Sequence, residues 1–81
     1  MSYEEKGKPT RITNSIRALR FARGEMTQAE LAQRIGVTRQ TVIAIEQGRY
    51  SPSLEVAFQI ARVLKVPLDE VFQYPDGEGG S

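Results

Sequence analysis

The chain has no cysteine and no histidine, and these two absences remove more chemistry than anything else in its composition. Without thiols there is no disulfide framework and no thiolate metal site, and without imidazole the usual zinc ligands shrink to carboxylates. Nucleophilic or general-base work would fall on carboxylates, Ser, Lys or Tyr. Neither a glycine-rich phosphate loop nor a paired-carboxylate motif accompanies them. The expectation is therefore a protein that is not an enzyme and uses no cofactor, metal or evident small-molecule ligand. No apolar run approaches the roughly twenty residues of a membrane span, and the polar start MSYEEKGKP lacks a signal-peptide core. That predicts a cytoplasmic location and no membrane partner. A large excess of one charge is also missing: the formal net charge is +1, which alone would not suggest a polyanion as partner.

What is present is unevenly placed. From Lys6 to Arg49 there are nine basic residues (Lys6, Lys8, Arg11, Arg17, Arg20, Arg23, Arg34, Arg39, Arg49) against Glu25, Glu30 and Glu46, a balance of +6. From Tyr50 onward Arg62 and Lys65 face Glu55, Asp69, Glu70, Asp76 and Glu78, a balance of −3. A basic half is what phosphate binding requires. At 81 residues the chain makes one domain near the lower end of what folds alone, so a second copy is expected to cover part of its apolar surface.

The organising stretch is TQAELAQRIGVTRQTVIAIEQGR, Thr27 to Arg49. Thr27-x-x-Glu30 is a capping box, and Leu31, Ala32 and Ile35 then repeat at helical spacing up to Gly36, a residue suited to a left-handed helix terminus. Thr38 caps a second helix whose Val42 and Ile45 point inward and which stops at Gly48. Two short helices crossing over so tight a turn need a small side chain at closest approach, and Ala32 supplies it. This is the pattern of a DNA-binding helix-turn-helix, whose second helix enters the major groove. Arg39, Gln40 and Thr41 occupy the first turn of that helix, and Arg and Gln are suited to bidentate contact with guanine and adenine edges. Thr38 begins the helix beside them, while Ile43 or Ala44, one turn on, could touch a thymine methyl.

Around this unit the chain divides into residues 1–11, a polar flexible arm whose Lys6, Lys8 and Arg11 could instead reach along DNA; 12–74, the folded domain; and 75–81, a frayed tail. Thr13 or Asn14 caps a first helix in which Ile16, Leu19 and Arg20 share a face, and Gly24 closes it. Ser53 caps a helix from Leu54 to about Leu64, and Pro67 opens a last one over Leu68 to Phe72. The predicted fold is all-α, five helices around Ile16, Leu19, Met26, Leu31, Ala32, Ile35, Val37, Val42, Ile45, Leu54, Ala57, Ala61, Leu64, Leu68 and Phe72. On the fourth helix Val56, Ile60 and Val63 form a second apolar stripe, wider than one core face needs. With Val66, Pro67, Val71, Phe72 and Tyr74 it is the expected surface for a homodimer.

The run Thr27 to Arg49, followed by SPSLEVAFQIARVL and VPLDEVF, resembles the phage Cro and repressor type of helix-turn-helix, the Xre-like family, over about Ile12 to Phe72. The loop Gly24-Glu25-Met26 is one residue longer than the commonest version, with Met26 as the apolar anchor. The resemblance implies a sequence-specific transcriptional regulator, dimeric on a palindromic operator. It further implies an ion pair between Arg20 and Glu46, and phosphate contacts at Thr27, Gln28, Thr41, Arg49 and Tyr50. An antitoxin that neutralises a partner protein is the alternative on the same fold.

Overall fold

Three hydroxyls set three of the helix starts. In the computed structural model, which describes residues 10–49 and 51–75, Thr27, Thr38 and Ser53 each accept a hydrogen bond from the backbone N–H three residues on, at 3.0, 3.2 and 3.2 Å. They open α2 (Gln28–Ile35), α3 (Arg39–Glu46) and α4 (Leu54–Leu64). At Thr27 the box closes in both directions, because the Thr27 N–H donates to Glu30 Oε1 at 3.1 Å. Before them comes α1 (Ile16–Ala22) and after them the single turn α5 (Leu68–Val71). Gly36 ends α2 at φ 78°, a backbone geometry in which an L side chain is strained. Val37 N–H then reaches back to Ala32 O at 3.0 Å, and the chain turns straight into α3.

A two-stranded antiparallel ribbon, β1 (Thr13–Asn14) and β2 (Phe72–Gln73), is added to the five helices. Thr13 lies opposite Gln73 and Asn14 opposite Phe72. This corrects two expectations. Neither Thr13 nor Asn14 is the N-cap of α1: that position is Ser15, and Asn14 Oδ1 takes the Ile16 N–H from one residue further back, at 3.1 Å. The last helix ends at Val71, with Phe72 already extended at φ −124° and ψ 139°. Two-residue strands are too short to leave a period-2 pattern, so nothing in the sequence marks them.

The core is Ile16, Met26, Leu31, Ala32, Ile35, Val42, Ile45, Ile60, Ala61, Leu64 and Val71, with Leu19, Val37, Val56, Val63, Val66, Leu68 and Phe72 half-buried against it. Ala57 is buried as well. Leu54, expected inside, is 71% exposed. It is the first residue of α4 and projects beyond the core beside Pro52, over a groove lined also by Ile12, Ala57, Leu68 and Phe72. Ile60 and Val71, expected at a dimer surface, are 1% and 0% exposed and have no side-chain surface left for a partner. The arc that α4 turns inward is centred on Ala57, Ile60, Ala61 and Leu64, because the small alanines let neighbouring elements approach beside Ile60.

Thr10 N–H donates to Gly48 O at 3.2 Å, so the chain enters the domain beside the end of α3. Residues 1–9 of the expected arm, Tyr50 and residues 76–81 of the expected tail lie outside the described residues. Among the described residues, no helix is long and apolar enough to cross a membrane.

Lys65 ends α4 at φ 61° and ψ 41°, a left-handed conformation that costs a side-chain-bearing residue about 1–2 kcal/mol. Glycine removes that strain and returns about 0.4–1 kcal/mol through the greater freedom of the unfolded chain. Lys65→Gly is expected to stabilise by roughly 1 kcal/mol and raise Tm by about 4–8 °C. Thermal denaturation followed by circular dichroism checks this, with an unchanged or lower Tm as the contrary result.

Candidate nucleic-acid interface

α3 has eight residues with which both to pack and to present a surface. Val42 and Ile45 take the inward positions at 1% and 2% exposure. The opposite face carries Gln40, Ile43, Ala44 and Gln47 at i, i+3, i+4 and i+7, the spacing of one helical stripe. Gln40 and Gln47 are exposed, and Ile43 and Ala44 half-buried. Arg39 is exposed at the flank of this stripe. It lines an open groove of about 1090 Å3 together with Arg17, Gln28, Ala29, Glu46 and Gln47. An exposed guanidinium, two primary amides and small apolar groups thus share one side of α3, a set able to meet the acceptors, donors and methyl groups on base-pair edges.

The flanks are built differently. Gln28 is the first residue of α2, where backbone N–H groups have no intrahelical acceptor and the helix dipole favours an anion. Thr27, just before it, has its hydroxyl oxygen engaged by the Glu30 N–H. On the other side Arg49 is exposed, with Nη1 3.2 Å from Gln47 Oε1. Its own N–H donates to Ala44 O at 3.0 Å, which folds the loop back on the end of α3. Thr38 and Thr41 share a hydroxyl contact of 3.0 Å at the start of α3, Thr38 exposed and Thr41 half-buried.

Behind the outward face sits a charged cluster. Arg20 Nε and Nη2 donate to Glu46 Oε2 and Oε1 at 2.7 and 3.2 Å, the two-point geometry in which a guanidinium and a carboxylate match best. The side chains are 7% and 9% exposed. Arg20 Nη1 donates to Met26 O at 2.7 Å, and Gln28 Nε2 to Glu46 Oε1 at 3.1 Å. The Phe21 ring lies over the guanidinium, its centroid 5.7 Å from Arg20 Cζ and 5.5 Å from Arg17 Cζ, within the range of a cation–π attraction. No buried side-chain nitrogen or oxygen among the described residues is left without a partner.

Two features escaped the sequence reading. Gln28 was assigned a phosphate role alone, yet its amide also braces Glu46; the contact joins residues 18 apart, and no local pattern encodes it. Gln47 has no place among the expected contacts, although its spacing of seven from Gln40 puts it on the same stripe of α3. Tyr50, named as a phosphate contact, lies outside the described residues.

Residues 16–71 match the helix-turn-helix family model. The chain is similar to an uncharacterised HTH-type transcriptional regulator of Methanocaldococcus jannaschii, 51% identical over 65% of this chain and 80% of that protein. It is also similar to the antitoxin HipB of Escherichia coli, 31% identical over 84% of this chain and 71% of that one. Its fold matches the crystal structure of a candidate DNA-binding protein from Bacteroides fragilis with a TM-score of 0.67, at 22% identity over 76% of this chain and 98% of that one.

Removing one partner of a buried ion pair strands the other, at a cost of about 3–5 kcal/mol, against about 0–1 kcal/mol for an exposed pair. Among the described residues, Glu46→Ala leaves Arg20 with the Met26 carbonyl as its one hydrogen-bond acceptor and frees the Gln28 amide. The expected result is a loss in the buried range, read as a large fall in urea midpoint. A shift of a few tenths of a kcal/mol would show the cluster to be energetically a surface pair.

Proposed function

The chain belongs to the helix-turn-helix family of small DNA-binding transcriptional regulators, and on that premise we propose that it reads a palindromic operator as a homodimer, α3 of each copy lying in the major groove. The observation that carries the reading is the outward face of α3, where Arg39 and Gln40 are exposed beside Ile43 and Ala44. Thr38 joins Arg39 and Gln40 at base edges, and Ile43 or Ala44 meets a thymine methyl. Phosphates are held at either end of the unit by Thr27, Gln28 and Thr41 and by Arg49 with Tyr50. Phosphate contacts fix register and contacts to bases specify sequence, so the two groups of residues differ in what their loss does.

Dimerisation is supported by the small size of the domain and by an apolar flank of α4 that the core leaves open. Leu54 and Phe58, four residues apart and so on one face, are 71% and 52% exposed, and Tyr74 is 65% exposed. Of the surface inferred from sequence, Val56, Val63, Val66 and Phe72 are half-buried and Pro67 and Tyr74 exposed. A two-fold dimer reading a palindrome places its recognition helices about 34 Å apart, one turn of DNA. The similarity to an antitoxin favours a second reading, in which another face also neutralises a partner protein. Co-expression with the product of the adjacent gene, scored by relief of growth arrest, separates the two.

Sites selected from random DNA with the purified protein provide the test sequences. Arg39→Ala is expected to cost about 1–3 kcal/mol on the selected site and to relax preference at one guanine, whereas Arg49→Ala weakens all sequences alike and lowers the salt slope by about one. Equal loss on selected and scrambled DNA for Arg39→Ala would remove its base-reading role. For the dimer, Leu54→Glu with Phe58→Glu is expected to abolish the advantage of a palindrome over a half-site while the monomer stays folded by circular dichroism, since both side chains are exposed. Sedimentation velocity and binding isotherms check it; a wild-type protein that stays monomeric at high concentration and prefers no palindrome would overturn it.

A further inference from the structure

The carboxyl end of α3 is held by a residue that no helix contributes. Asn14, in β1, donates from Nδ2 to Ile45 O at 3.0 Å and to Glu46 O at 3.4 Å. Its Oδ1 accepts the Ile16 N–H at 3.1 Å. One primary amide therefore binds the start of α1 with its acceptor and the end of α3 with its donors, adding to the Gly48 N–H that already reaches Ile45 O at 3.1 Å. We propose that Asn14 is a positioning residue for base recognition, setting the inclination of α3 by gripping its last backbone carbonyls. The inference rests on the operator-reading function above.

Asn14 and Arg20 hold α3 in different ways. The Arg20 guanidinium binds the Glu46 carboxylate, which sits on a side chain with three rotatable bonds and can follow a small movement of the helix. Asn14 binds two successive backbone carbonyls, so a tilt about the carboxyl end of the helix turns them out of line with the amide. Arg39 lies seven residues from Glu46, about 10 Å along the axis. A tilt of about 10° pivoting on that end would move Arg39 by nearly 2 Å, more than the roughly 0.5 Å spread of hydrogen-bond distances that base contacts tolerate. The Asn14 amide is itself located by the ribbon. Asn14 pairs with Phe72, and Ser15 N–H donates to Val71 O at 2.8 Å. The register of β1 on β2 thus reaches α3 through one side chain.

The test uses the full chain with three substitutions. Asn14→Asp keeps an acceptor for the Ile16 N–H, and an anion at the start of α1 is favoured. It also replaces the donor facing Ile45 O and Glu46 O with a carboxylate that cannot donate. Asn14→Ser keeps a short acceptor without charge and is too short to reach α3, so it serves where the Asp variant is unfolded at the assay temperature. Thr13→Ala removes an exposed ribbon contact, Thr13 Oγ1 to Gln73 O at 3.3 Å, and is the control. Each is assayed on selected and scrambled DNA over a range of salt, well below its own Tm. The expected result is a loss of about tenfold or more on the selected site for both Asn14 variants. Scrambled DNA should bind within about twofold of wild type with the same salt slope, and Thr13→Ala should be unchanged on both. A folded Asn14 variant that keeps wild-type discrimination, or loses both DNAs in parallel, overturns the proposal while a discriminating wild type leaves the operator reading intact. A wild type that does not distinguish selected from scrambled DNA overturns the operator reading and this proposal with it.

Discussion

The two-point contact between Arg20 and Glu46, 2.7 and 3.2 Å long and nearly sealed from water, is the constraint on which the arrangement of α1, α2 and α3 depends. Arg20 comes from α1, Glu46 from the end of α3, and Gln28 from the start of α2. Burying opposite charges gains little net stability over apolar packing, because desolvation offsets most of the attraction. What the pair imposes is geometry. Its planar match ties the end of α3 to α1 within the reach of two side chains, and the cost of stranding either charge keeps the ends together. Phe21 over the guanidinium and the Met26 carbonyl beneath Nη1 complete the environment, which is how a charge 6% exposed sits beside a core of aliphatic side chains.

That constraint answers a problem of size. A helix of eight residues that must leave one side free for DNA can bury little of itself, and α3 buries fully only Val42 and Ile45. Two apolar anchors do not define the pose of a helix to the accuracy that hydrogen bonds to base edges require. Polar contacts with directional geometry supply the rest: Thr38 at the amino end, and Asn14, Gln28 and Arg20 at the carboxyl end. The same economy shapes the electrostatics. Glu46 is the one acidic residue of α3, and pairing with Arg20 neutralises it, so Arg39 and Arg49 present the positive charge on that side of the molecule. Basic residues concentrated before Tyr50 then attract phosphate although the whole chain carries only +1.

Local chemistry was legible in the chain itself. The Thr27 to Glu30 box, the Thr38 and Ser53 caps and the Gly36 terminus each depend on residues within three or four positions of one another, and they appear in the structure as the sequence implies. The inward stripes of α2 and α3 follow from the helical period alone. On α4 the period was not enough: it places Leu54 and Ile60 at definite angles around the helix axis but does not say which angles the neighbouring elements occupy. Leu54 therefore stands at 71% exposure where burial was expected, and Ile60 at 1% where a free surface was expected.

By itself, then, the sequence determined where α2, α3 and α4 begin and end, which face of α3 is turned outward, and the helix-turn-helix family to which such a run belongs, because all of these are set by neighbours within a turn or by the order of residues along the chain. Beyond the Arg20–Glu46 pair that the family resemblance implies, tertiary structure alone decided what holds that face in place. The ribbon joins Thr13 to Gln73 across 60 residues, Asn14 reaches Ile45 across 31 and Gln28 reaches Glu46 across 18. No periodicity or local motif encodes a contact between residues so far apart. Their partners are fixed only when the core has closed and brought the two ends of the domain and the end of α3 to one place.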